Sequence, residues 1–517
     1  MGQHGVVIGA GMGGLAAAIE LAGAGLEVTL LEQADAPGGK MREVVVEGQG
    51  IDSGPTVFTM RWVFDGLLDC VGRSLEALVS LTPCEVLARH AWRSGGPMDL
   101  FHDLERTVDE IGRFSGAADA ASYREFCART ARIFNALRDT YIAASRPSMV
   151  DLVLRVGLHR LGTLLALGSF ESMWHRLRRT FHDERLQQLF GRYATYCGSS
   201  PFQTPATLLL VAHVEREGVW MVDGGMHQLA QALARTAAEV GAAVRYGEPV
   251  AEIIIERDRV AGVRTARGER IACDAVVCNA DKAAIAEGRF GAAVAAAVPG
   301  TPRAQRSLSA VTWSMRAGTA GFPLTRHNVF FSDDYRAEFD ALYGRRRLPV
   351  DPTVYVCAQD RGSDAAADSA PARERLLCLV NAPADGDRRA MDETALARYE
   401  EAAFGLLRDC GLTIERTEAG SVQTAPQDFA RLFPATGGAL YGPNLHGMLG
   451  SFRRPGARSR VPGLYLSGGS VHPGAGVPMA TLSGRIAAAA VLADRPAAHA
   501  VTGLRGLTLL ATGDGGR

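Results

Sequence analysis

The sequence has no Cys-x-x-Cys pair, no long uninterrupted apolar run and no excess of charge of either sign. Its nine cysteines are dispersed and odd in number, which fits reduced core thiols better than a disulfide framework. Without paired thiols at ligand spacing, no metal centre is expected. Lysine and arginine number 55 against 56 for aspartate and glutamate, so no basic field argues for a nucleic-acid partner. No stretch reaches the roughly 18–20 apolar residues needed to span a bilayer, and the chain is expected not to cross one. A signal peptide is not expected either: the first apolar run, Val6-Val7-Ile8, has no basic flank and leads straight into glycines. A cytoplasmic protein is expected. A hydrophobic share of 47% excludes disorder for the whole chain, and 517 residues exceed what one core serves, so two or more domains are expected.

What the N-terminus does have is an ordered motif. Gly5-Val6-Val7-Ile8-Gly9 reads as a buried strand, and Gly9-Ala10-Gly11-Met12-Gly13-Gly14 satisfies GxGxxG. Leu15 to Leu21 is helical by propensity, and a second strand, Glu27 to Leu31, ends at Glu32. Each part has a task in binding a dinucleotide. Gly9 permits the tight turn, Gly11 lets the backbone approach a pyrophosphate, and Gly14 lets helix and strand pack closely. The helix N-terminus at Met12 and Gly13 offers free N–H groups and a positive dipole end to phosphates. Glu32 arrives about 20 residues on, where a carboxylate accepts from ribose hydroxyls.

The residues that follow favour FAD over NAD. Ala36-Pro37-Gly38-Gly39-Lys40-Met41 places two glycines and a cation where backbone and Lys40 can approach the cofactor phosphates and ribityl chain. Without that context Lys40 reads equally well as a solvated surface lysine. A strand-like Val44-Val45-Val46 then leads to Gly50-Ile51-Asp52-Ser53-Gly54-Pro55-Thr56. With these residues the chain resembles the flavin-containing amine oxidase and phytoene desaturase superfamily. The resemblance implies cofactor contacts at Gly54, Pro55 and Thr56, and at the backbone of Val250 against the adenine.

The middle of the chain breaks the Rossmann rhythm. From about residue 76 to 215 helical patterns dominate, as in Ser122 to Leu137. From Met149 to Phe181, apolar residues recur among Arg155, His159, Arg160, His175, Arg176, Arg178 and Arg179, with only Asp151 and Glu171 acidic. Such a basic amphipathic stretch suits a membrane interface, or else the solvated face of a core helix. The Rossmann pattern returns at Gly218–Met226, the helix His227 to Val240, and the strands near 243–246, 250–255 and 275–281. Residues of about 282 to 423 read as inserted α+β material, with strands at Ser309–Met315 and Thr353–Cys357. The expected fold class is α/β. It comprises a discontinuous Rossmann-like FAD-binding domain of the two-dinucleotide-binding-domain flavoprotein type (1–75, 216–290 and 424–495), an inserted substrate and membrane-association domain (76–215 and 291–423), and a tail (496–517).

The closing motif is a strand, a loop and a helix. Gly463 to Ser470 is a buried strand ending in Gly468, Gly469 and Ser470. Val471-His472-Pro473-Gly474-Ala475-Gly476 is a glycine-proline loop, and Val477-Pro478-Met479 opens a small-residue helix. That geometry can bring a helix N-terminus to the flavin N1/O2 edge, where reduced flavin carries negative charge. The block from Phe433 to Gly442, through Ser451-Phe452-Arg453-Arg454-Pro455-Gly456, to this loop resembles bacterial carotenoid desaturases. Within them it is most similar to the hydroxyneurosporene (methoxyneurosporene) desaturases, the 1-hydroxycarotenoid 3,4-desaturases.

The resemblance implies an FAD-dependent dehydrogenation of neighbouring saturated carbons in a carotenoid, C3–C4 of a 1-hydroxycarotenoid, with hydride passing to flavin N5. It also implies an apolar tunnel, peripheral membrane contact, and oxygen or a quinone as second acceptor; no second GxGxxG supplies a built-in NAD(P) site. Other readings stay open: a phytoene-type desaturase or polyene isomerase, an amine-oxidase-like enzyme on a polar substrate, or a non-catalytic flavin-fold lipid-binding protein. His472 is the candidate acid–base residue, against a role in ordering its loop. His227 is expected at a helix start, as a cap or exposed. Asp52 is expected to support the loop around Gly54. Arg453 and Arg454 read as an exposed basic turn or a phosphate or headgroup site.

Overall fold

Five parallel strands drawn from distant parts of the chain make one sheet, in the order Leu464–Leu466, Ala275–Cys278, His4–Ile8, Glu27–Leu31, Ala242–Arg245. The structure, a computed structural model, describes residues 3–145, 171–362 and 371–495. Strand His4–Ile8 sits at the centre, with Val6 level with Val276 on one side and Thr29 on the other. Its run of Val6, Val7 and Ile8 is buried on both faces, as a central parallel strand requires.

Two helices from opposite ends of the chain cover this sheet together. Helix Met12–Gly23 and helix Val477–Ala493 are rich in alanine, which keeps helix propensity, and carry glycines where the backbones approach closely. Ala16, Ala17, Ala487 and Ala488 are fully buried. A Cβ on Gly484 would lie 2.0 Å from the carbonyl oxygen of Gly13, so the two backbones touch there. Arg485 and Glu20 pair across the same contact, Nε to Oε1 at 2.6 Å.

A second, mostly antiparallel sheet carries the other lobe. Its order runs Leu412–Glu415, Ser309–Gly321, Glu374–Ala382, Val354–Ala358, His327–Phe330, Val86–Ala91, Met98–Phe101, with Ser421–Thr424 also paired to Ser309–Gly321. The two strands at Val86–Ala91 and Met98–Phe101 lie in a region whose pattern reads as helical. They form because Val86, Leu87, Ala91, Met98 and Leu100 are buried against the sheet's neighbours, a tertiary gain that outweighs local propensity. Trp220–Val222 also departs from the sequence reading: it pairs with Leu81–Pro83 in a separate ribbon and does not join the five-stranded sheet. The helix it leads to, Met226–Glu239, does feed that sheet, through Ala242–Arg245.

Residues 149–170 of the basic stretch, and the tail 496–517, lie outside the described residues. The described remainder, helix Met173–Thr180, buries Met173 and Leu177 and exposes His175, Arg178 and Arg179. Among the described residues, no helix is long and apolar enough to cross a membrane, and no cluster of His, Cys, Asp or Glu suits a metal ion.

Candidate active site

A cavity of about 1170 Å³ runs from the carboxyl edge of the parallel sheet to the second sheet. Its position follows from topology, because ligands of open parallel sheets bind beyond the carboxyl ends of the strands. At one end lie Gly9, Gly11, Met12, Gly13, Glu32, Gly38, Gly39 and Val250. Further along come Lys40, Gly54, Pro55, Thr56, Gly469, Ser470, Val477, Pro478 and Met479. Of the residues singled out from sequence, Gly14, Asp52, Arg453 and His472 do not line it. Gly14 lies behind the turn, where a Cβ would be 1.9 Å from the Gly9 carbonyl oxygen, so it sets the closeness of helix and strand.

Both covering helices present their N-termini to this cavity. Helix Met12–Gly23 begins after Gly11 and helix Val477–Ala493 after Gly476, and neither has a side-chain cap. Their first N–H groups are therefore open to an external acceptor. Glu32 is buried and already accepts from the backbone N–H groups of Ala10, at 2.6 Å, and Ala34, at 2.9 Å. That fixes its carboxylate at the end of the second strand with lone pairs left for a ribose. A glycine cradle, a fixed carboxylate and two open helix ends fit a flavin dinucleotide: the first end suits the pyrophosphate, the second the flavin ring edge.

Asn279 belongs to the same cradle and was not singled out from sequence. It follows strand Ala275–Cys278, accepts from Ser467 Oγ at 3.2 Å, and a Cβ on Gly11 would lie 2.6 Å from its Nδ2. Its position at the carboxyl end of a central strand was the available signal.

Several polar residues around the cavity are held by backbone groups. Lys40 lies inside the cavity and donates to the carbonyl oxygens of Leu440, at 2.8 Å, and Ala439, at 3.4 Å. Its ammonium is thus held by the 439–440 loop, and burial lowers its pKa. His227 is buried, not exposed: its ring Nδ1 is 3.0 Å from the Met41 carbonyl oxygen. Asp52 accepts from the backbone N–H groups of Met226 and His227, at 2.6 and 3.0 Å, so it caps a helix instead of bracing the Gly54 loop. Burial raises its pKa although both N–H groups oppose that.

Arg454 is not part of an exposed basic turn. It is 1% exposed and donates to the carbonyl oxygens of Tyr441 and Pro443, each at 2.9 Å, and of Gly469. The guanidinium's planar fork matches three converging carbonyls, tying the 441–443 loop to the closing motif. His472 is buried within the closing loop, its Nε2 3.0 Å from the carbonyl oxygens of both Tyr141 and Ala144. Its ring meets that of Tyr141 edge-on at 4.9 Å.

The far part of the cavity is apolar. Leu377 and Leu379 from the second sheet line it together with Leu208, Leu210, Val211 and Val214. Set into this lining is a polar group: Arg192, Tyr196, Glu215 and Tyr355. Glu215 accepts from the phenols of Tyr193, at 2.7 Å, and Tyr196, at 2.6 Å, and burial raises its pKa against those bonds.

Residues 12–492 match the family of flavin containing amine oxidoreductases. The hydroxyneurosporene desaturase of Rubrivivax gelatinosus is 50% identical over 94% of this chain and 93% of its own. That of Cereibacter sphaeroides is 44% identical over 95% and 97%. The 1-hydroxycarotenoid 3,4-desaturase of Flavobacterium sp. is 29% identical over 93% and 98%. Among solved structures, putrescine oxidase with putrescine bound aligns with a TM-score of 0.57 at 16% identity, over 95% of this chain and 99% of that one. Cyclohexylamine oxidase from Brevibacterium oxydans aligns at 0.53 and 15%, over 96% and 100%. The shared fold and the glycine-lined site define an oxidoreductase whose cofactor is FAD. The chain belongs to the flavin-containing amine oxidoreductase family, in the branch that its 50% and 44% identical relatives represent.

Proposed function

We propose that this chain is a carotenoid desaturase that introduces the C3–C4 double bond into 1-hydroxycarotenoids such as 1-hydroxyneurosporene. One observation carries the reading. The cavity continues from the dinucleotide end into a long apolar chamber, in a chain half identical to a hydroxyneurosporene desaturase. A polyene is poorly accommodated by water, and such a chamber removes it from water.

Bound FAD would supply the hydride acceptor that no side chain can provide. The residues described here do the rest. Gly9 to Gly13, Gly38, Gly39, Glu32 and Val250 hold the dinucleotide. Gly54, Pro55, Thr56, Gly469, Ser470 and Val477 to Met479 frame its reacting ring. Leu377, Leu379, Leu210 and Val214 hold the substrate's apolar length and exclude water. No carbonyl acidifies the hydrogen lost as a proton, so the reaction demands no strong base. His472, held between two carbonyls and away from the cavity lining, acts in this reading by ordering the closing loop and not as an acid or base.

The FAD-binding part comprises 1–75, 216–290 and 424–495, and the substrate part 76–215 and 291–423. The exposed basic side chains His175, Arg178 and Arg179 support contact with an anionic membrane surface, where the substrate resides. Oxygen or a membrane quinone completes the cycle. The test is pigment analysis in cells that accumulate a 1-hydroxycarotenoid, with and without this chain. The expected product is lighter by two hydrogens and red-shifted. Unchanged pigment with flavin bound to the protein would overturn the reading, and conversion of phytoene instead would favour an earlier desaturation.

A further inference from the structure

Desaturation at C3–C4 acts two bonds from the carbon that bears the 1-hydroxyl. The hydroxyl and the reacting carbons therefore enter the same part of the cavity. Any group that reads the hydroxyl must stand beside the residues that frame the flavin. The polar group set into the apolar lining meets that condition. Thr56, next to Gly54 and Pro55, has its Oγ1 2.7 Å from the Tyr355 hydroxyl. The Tyr355 ring in turn lies under the Arg192 guanidinium, whose carbon is 5.3 Å from the ring centroid.

Arg192 is unusual in its surroundings. It heads the short helix Arg192–Cys197, lines the cavity, and its Nε is buried without a hydrogen-bond partner. Among the described residues, no atom accepts a hydrogen bond from its guanidinium and no carboxylate lies within ion-pair distance. Glu215 supplies compensating charge nearby, but its two oxygens are engaged by Tyr193 and Tyr196. The phenols thus fix the carboxylate while leaving the guanidinium's donors for something else. An alkyl end group would desolvate those donors and give nothing back. An alcohol oxygen would accept from them.

We infer that Arg192, held over the Tyr355 ring with its donors unused, recognises the tertiary hydroxyl of the substrate's end group. Its N–H donates to the hydroxyl oxygen, which selects hydroxylated over hydrocarbon ends and decides which carbon pair faces the flavin. The inference rests on the proposed function and deepens it by naming the specificity residue.

The test is equilibrium binding to the FAD-loaded protein, chemically reduced so that no turnover occurs, in detergent micelles. 1-Hydroxyneurosporene and neurosporene are titrated separately, and the carotenoid absorbance shift is followed. Wild type is expected to bind the alcohol about 10- to 100-fold more tightly. Arg192→Met is expected to bring that ratio near one by weakening the alcohol and leaving the hydrocarbon unchanged. Arg192→Lys, which keeps a cationic donor, is expected to restore part of it. A ratio unchanged in Arg192→Met overturns the inference, and so does equal weakening of both carotenoids, the result expected of a merely structural residue. If Arg192→Met does not retain flavin, Arg192→Gln is read by the same criterion. Failure of the two claims is separable. If oxidised wild type desaturates neither carotenoid, the proposed function falls and this inference with it. If it desaturates the alcohol and the variants keep their discrimination, only the role of Arg192 falls.

Discussion

Arg485 on the last described helix donates from Nε to Glu20 on the first helix at 2.6 Å, closing a contact between residues 465 positions apart. The two side chains are only 12% and 3% exposed. Burial raises the pKa of Glu20, and the Arg485 guanidinium opposes that rise. Losing one partner leaves the other charge buried alone, so Arg485→Met is expected to cost about 3–5 kcal/mol. The double variant Glu20→Leu with Arg485→Met is expected to recover most of that. Urea unfolding of the three proteins checks it, and additive losses in the double variant would show that the pair is not coupled.

Gly11 is expected to tolerate no larger side chain. Its φ of −71° is open to any residue, so the restriction is space alone. A Cβ would sit 2.6 Å from Asn279 Nδ2, in the turn that a pyrophosphate must approach closely. Gly11→Val should purify without flavin absorbance and should not regain it on adding FAD. A full flavin complement in that variant would remove Gly11 from the cofactor site.

His472 offers a clean split between ordering and proton transfer. Two carbonyls within 3.0 Å of Nε2 call for a proton on that nitrogen. His472→Gln can still donate there, and it is expected to keep both its flavin and the pH profile of kcat. His472→Ala is expected to lose roughly 1–3 kcal/mol of stability. Disappearance of an ionisation from the profile of the Gln variant would mean that the imidazole moves protons.

Glu338 gives the fold a pH dependence of its own. It is buried with Oε2 accepting from Ser332, at 2.9 Å, and Thr353, at 2.7 Å. Burial outweighs those bonds and pushes its pKa from 4.5 to about 7. Between these values the unfolded chain releases a proton that the folded chain keeps. Stability from this group is therefore complete below about pH 4.5 and falls as pH rises to 7, by roughly 3 kcal/mol in all. Glu338→Gln should flatten that part of the stability profile and unfold at higher urea than wild type at pH 8. A slope equal to that of wild type would place the titrating group elsewhere.

The dinucleotide end was legible because its parts are local: strand, glycines, helix and Glu32 follow one another within the first 32 residues. The closing helix could be read for the same reason, since Gly469 to Met479 is one continuous motif. What escaped depends on contacts made across the chain. Arg454 looks like a surface residue beside Arg453 until the carbonyls of Tyr441, Pro443 and Gly469 converge on it. Asp52 takes the capping role expected of His227 for a similar reason: a carboxylate 175 residues away provides the helix cap. Strands Val86–Ala91 and Met98–Phe101 become strands only because a parallel neighbour, His327–Phe330, comes to lie beside Val86–Ala91.

The two uncapped helix ends at Gly11 and Gly476 also set an order of events in the life of the molecule. The second leaves the ribosome long after the first, because the inserted lobe is made between them. A nascent chain can shape the glycine turn early, yet it cannot enclose a flavin ring until the helix that begins after Gly476 has emerged. Enclosure of the cofactor therefore waits for the second helix, and the chamber stays open until that helix docks.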